Sequence, residues 1–127
     1  MRKVALGIGI GIIGLGLIWL GGQIGWWWIT PLVGGVIGIV LRPVWLALVV
    51  ALAVGGLGWG LPLALLAASA PVGQVASAVE SVIGLTATGG LVIMLATVLL
   101  GCILSGVGAW VGIAGKRLFP RHGVERA

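Results

Sequence analysis

The chain has no tyrosine, aspartate or asparagine, and only one phenylalanine, one cysteine and one histidine. Each shortage removes a class of chemistry. A lone Cys102 excludes an internal disulfide and any cluster of cysteine ligands. One histidine and two glutamates cannot supply the three or four ligands of an ordinary metal site within one chain. No nucleophile stands with a base and no carboxylates cluster, so the chain reads as a non-enzyme. Charge itself is scarce: 7% of residues carry one, against about 25% in an ordinary soluble domain.

What remains is apolar side chain and glycine. The chain is 61% hydrophobic and contains 25 glycines in 127 residues. A soluble core of this length could not hide so much apolar surface, so the expected solvent is lipid. Seven Lys and Arg against two Glu give a net charge of +5. In a soluble protein that excess would suggest nucleic acid. Here the cations stand only at the ends of apolar stretches, where they orient a chain in a bilayer. Lipid is therefore the expected partner and nucleic acid is not.

Charges divide the chain into spans. No residue from Val4 to Leu41 is charged. As one helix that stretch would be roughly 57 Å long, nearly twice the roughly 30 Å hydrocarbon core. It divides into a span over 4–20 and a second over 26–41, with a glycine-permitted turn at Gly21–Gly25. Arg42-Pro43 ends the second. A third covers 44–68, with Pro62 near its far end, and a fourth covers 90–114. Between them, Val72, Val75, Val79, Val82 and Ile83 recur at helical spacing. They predict an amphipathic surface helix over 71–84, lying on the membrane or on a partner. Thr88 is the expected N-cap of the fourth span, and 115–127 forms a basic tail. The fold class that follows is an all-α integral membrane protein. It is a four-helix bundle in one domain, with glycine-rich interfaces and one surface helix.

With four spans, Arg2, Lys3, Arg42 and the whole tail fall on one side and Glu80 on the other. The positive-inside rule then places both termini in the cytoplasm, in a prokaryotic inner or plasma membrane. The opening "MRK" with its apolar run has the outline of a secretory signal. The run is long and no A-x-A site follows, so an uncleaved anchor is expected. The seven tryptophans serve as interface anchors: Trp19, Trp26, Trp27, Trp28 and Trp59 toward the outer face, Trp45 and Trp110 toward the cytoplasmic face.

The glycines form stripes at spacings of three, four and seven. In the first span Gly7, Gly11 and Gly14 make one line, and Gly9 and Gly16 a second. The second span carries Gly34 and Gly38. The third carries Gly55 and Gly58 on one face and Gly56 and Gly60 on another. The fourth carries Gly101, Ser105, Gly108 and Gly112. Small residues at such spacing let helix backbones approach closely. Two stripes on the first and third spans allow each to be clasped from two sides. A faint echo links "GIVLR" at 38–42 with "GIAGK" at 112–116, as a duplicated parallel hairpin would.

The remaining candidates for chemistry are few. Cys102 is expected to be a buried, inert thiol. His122 belongs to the solvated tail, and Glu80 to the solvated face of the surface helix. Thr30, Thr97 and Ser105 are expected to return their hydroxyls to their own helix backbone. The tail "KRLFPRH", with Phe119, could hold anionic lipid or simply fix topology. A neutral quinone or pigment needs only an apolar groove and one hydrogen bond, so composition leaves cofactors open. The expected function is a non-catalytic subunit of a larger respiratory, photosynthetic or transport assembly, partnered by other membrane subunits or by copies of itself. The alternative is a small homo-oligomeric channel or transporter.

Overall fold

The computed structural model describes residues 1–85 and 88–119. Arg121, His122 and Arg126 of the basic tail lie outside the described residues. Five helices follow in order: α1 Arg2–Ile24, α2 Ile29–Val40, α3 Val44–Ser69, α4 Val72–Ile83 and α5 Leu91–Leu118. Helices α1, α3 and α5, of 23, 26 and 28 residues, are long and apolar enough to cross a membrane. At about 1.5 Å per residue each exceeds the roughly 30 Å hydrocarbon core.

Helix α2 does not match the expected second span over 26–41. It has 12 residues, about 18 Å, so the count of four full spans is corrected to three long helices and one short one. The reason is local. Helix α1 runs on through Gly21 and Gly22 and stops at Gly25, whose φ of 80° is left-handed. Trp26 then folds back, its amide donating to the Gly21 carbonyl at 2.8 Å. Trp26–Trp28 are consumed in this turn, and α2 starts only at Ile29. At its other end Leu41 is already extended ahead of Arg42-Pro43. Helix α3 tolerates Pro62 in its interior and continues to Ser69. Helix α5 runs past the expected end at 114 and takes Lys116 and Arg117 into its last turn, where cations favour the dipole.

Contacts between named positions set the helix directions. Gly7 faces Leu41, Gly14 faces Val33 and Gly21 faces Ile29, so α1 and α2 are antiparallel. Gly11 lies on Val50 and Val54, and Gly58 on Ile18, so α3 runs alongside α1 in the same direction. Gly34 meets Ser105 and Gly38 meets Ala109, so α5 runs with α2. All five described Lys and Arg residues are thereby gathered at one end of the bundle. Helix α4 sits at the other end, across the start of α5. The core is built from Ile18, Val33, Ile37, Leu41, Ala47, Ala51, Val54, Ala109 and Ile113. Outward faces are apolar throughout, as at Ile13, Leu99 and Val111.

Candidate functional site

The centre of the molecule is a seam of bare backbone. A side-chain carbon placed on Gly34 or Gly38 would collide with the carbonyl of Ser105 or Ala109 on α5. The seam is reciprocal: carbons on Gly108 and Gly112 would collide with the carbonyls of Pro31 and Gly35 on α2. Helix α5 repeats this contact on α3, where Gly55 and Gly101 press on each other's carbonyls. Gly56 accommodates the Cys102 sulfur, and Gly60 faces Val98. Helix α1 packs differently. Gly7, Gly11 and Gly14 receive side chains (Leu41, Val54, Val33) rather than backbone, and Gly21 receives Ile29 beside the Trp26 carbonyl. Gly9 and Gly16 have nothing within 4 Å, so only one of the two stripes of α1 is clasped inside the molecule.

The hydroxyls depart from expectation at two of three positions. Thr97 does return to its helix, donating to the Ile93 carbonyl at 2.8 Å. Thr30, 2% exposed, instead accepts the indole N–H of Trp59 at 3.0 Å. Ser105 Oγ is fully buried where three helices meet and has no hydrogen-bond partner. Its Cβ packs against Gly55.

Glu80 is the largest correction. The expected solvated carboxylate is 1% exposed. Its Oε2 accepts from the Thr88 hydroxyl at 2.5 Å and from the Gly90 amide at 2.8 Å. Its Oε1 accepts from the amides of Val92 at 2.9 Å and Ile93 at 3.4 Å. These last two belong to the first turn of α5, whose amides have no partner within the helix. Glu80 therefore caps α5 from a neighbouring helix, and Thr88 serves the carboxylate rather than acting as N-cap, the position Gly90 takes. The Thr88 hydroxyl, with the three backbone amides, holds the carboxyl below its ordinary value against the opposing pull of burial. The negative charge also suits the positive end of the α5 dipole.

This cap seats α4 on α5 through Glu80 and Ala76 and leaves its apolar strip facing away from the bundle. Ala76 and Glu80 are its buried residues. Val75, Val79, Val82 and Ile83 remain exposed, forming an apolar strip held rigidly at one end of the bundle.

The tryptophans occupy distinct settings. Trp19, Trp26, Trp27 and Trp59 line a pocket of about 370 Å³ together with Gln23 and Thr30. Trp28 stacks on Trp26 with ring centroids 5.5 Å apart and faces a different groove. Trp59 is half-buried, its indole turned inward to Thr30, whereas Trp45 and Trp110 point outward. At the cationic end the Lys116 ammonium donates to the Ile39 carbonyl at 2.6 Å, tying the ends of α5 and α2 together. That bond, the Glu80 cap and the Thr30–Trp59 pair each join residues far apart in sequence. Only Glu80 carried a signal that could have been read: a lone carboxylate shortly before a Gly-Gly helix start.

Over the described residues these features define an all-helical fold with three helices long and apolar enough to cross a membrane, closed at its centre by glycine backbone. Comparison of the chain with known protein families, curated proteins and solved structures returns no match.

Proposed function

We propose that the chain is a non-catalytic integral membrane subunit that packs within a larger membrane protein complex. The observation that carries this reading is the strip Val75, Val79, Val82 and Ile83. A mobile apolar helix would fold over and hide such residues. Here Glu80 pins α4 to the first turn of α5 through two hydrogen bonds and to Thr88 and Gly90 just before it through two more, so the strip is presented outward. A fixed apolar platform beside apolar helix faces suits docking to another membrane chain. The cations gathered at the opposite end support, through the positive-inside rule, a cytoplasmic position for that end and both termini, and we read the membrane as a prokaryotic inner or plasma membrane.

A homo-oligomeric channel is the second reading, favoured by one observation. Pro62 has no N–H, so the Gly58 carbonyl loses its helix partner beside the tryptophan pocket. The glycine seam fills the centre of the bundle, so any conducting path would run between copies. Native mass after gentle extraction separates the two readings. Stoichiometric migration with other chains supports the subunit. Migration as a homo-oligomer, with flux in vesicles, replaces it with the channel.

A further inference from the structure

A groove of about 1420 Å³ runs between α2 and α5. Its floor is glycine, at Gly35, Gly108, Gly112 and Gly115, so no side chain fills it. Its walls are branched apolar residues such as Val36 and Val111. Its polarity is graded along its length. One end is closed by Trp28, and Arg42 and Lys116 stand at the other. No carboxylate lines it among the described residues.

We propose that this groove binds one anionic phospholipid, its acyl chain along the glycine floor and its phosphate between Arg42 and Lys116. An apolar channel with paired cations at one end is the complement of an anionic amphiphile. A partner helix that is apolar along the whole groove would leave both cations unmatched. A free phosphate would use the cations and leave the apolar length empty. The Ile39 carbonyl holds the Lys116 ammonium at 2.6 Å, which fixes it at the mouth and leaves two N–H donors for the headgroup. Arg42 adds a planar fork suited to phosphate oxygens. The inference rests on the chain residing in a bilayer and is independent of its being a subunit.

The test is native mass spectrometry of the full chain, released from micelles containing phosphatidylglycerol or phosphatidylcholine of equal chain length. One phosphatidylglycerol should be retained roughly tenfold or more over phosphatidylcholine, the scale that two surface cations supply. Arg42→Gln with Lys116→Gln should bring the two lipids to near parity, while the glutamine amide keeps a donor for Ile39. Gly115→Leu should displace both lipids. A Cβ at Gly115 meets nothing within 4 Å, so the leucine enters the groove from an open position, and an unchanged thermal unfolding curve is the check that the fold is kept. Equal retention of the two lipids by the unaltered chain would overturn the proposal. So would phosphatidylglycerol retention unaffected by either variant, full competition by inorganic phosphate, or loss of a co-extracted protein from Gly115→Leu in place of a lipid.

Discussion

At the scale of single residues, what matters is whether a glycine faces backbone, side chain or nothing. A carbonyl cannot rotate away as a valine can, so substitutions along the α2–α5 seam force whole helices apart. Gly108→Val or Gly34→Leu is expected to cost about 2 kcal/mol or more, at the upper part of the overpacking range. Gly16→Ala, in open space, is expected to change stability by less than about 1 kcal/mol and in the favourable direction. Unfolding of the purified variants in mixed micelles, followed by tryptophan fluorescence, measures both. Ser105 gives a third expectation. Its buried hydroxyl has no partner, so Ser105→Ala should stabilise by up to about 1 kcal/mol in the same assay. A loss of stability would show that the oxygen has a partner in the membrane. The stripes were readable in advance because spacing alone places residues on a helix face. Which stripe met backbone was not, since Gly14 and Gly34 look alike until a neighbouring helix is placed.

At the scale of elements, the decisive unit is the pair α4–α5. Glu80 supplies from one helix the acceptors that the other lacks at its first turn. Its carboxyl is held below the ordinary value of 4.5, so the cap contributes fully at neutral pH. That contribution persists down to the ordinary value and is lost as pH falls through the lowered one. Protection of the Val92 and Ile93 amides against hydrogen exchange should therefore hold from neutral pH to about 4.5 and collapse below it. Glu80→Ala should remove that protection at every pH while leaving the seam amides around Ser105 protected. The spacing of the valines places α4 as an amphipathic helix whose apolar strip faces away from the bundle, and Glu80 is the member of its polar face that departs, by turning inward. A carboxylate on a polar face is ordinarily solvated, and only the arrival of α5's free amides made burial favourable. The short α2 has a similar cause. Three tryptophans suit a helix start as well as a turn, and left-handed Gly25 decided between them.

At the scale of the whole molecule, the asymmetry of the two ends is the main property. Five described cations mark one end, and the Glu80 cap and exposed valines mark the other. If the protein crosses the membrane with α1, α3 and α5, cysteines at Arg2 and Val82 lie on opposite sides. In a Cys102→Ser background, Val82→Cys should react with an impermeant thiol reagent from outside intact cells, and Arg2→Cys only after lysis. Labelling of both from outside would contradict the proposed topology. Among the described residues the one buried charged side chain is Glu80, in α4.

Composition and periodicity by themselves determined the helical class, the long apolar helices, the breaks at glycine and proline and the collection of cations at one end. Those properties follow from side-chain polarity and from spacing along a single helix, which are local. The tertiary structure decided what depends on two helices at once. It chose the stripes that close into a backbone seam, paired Thr30 with Trp59, and left Ser105 without a partner. It also turned Glu80 inward and set Arg42 and Lys116 at the mouth of one groove. Each of these is a contact between distant segments, and contact energy depends on geometry that no single segment contains.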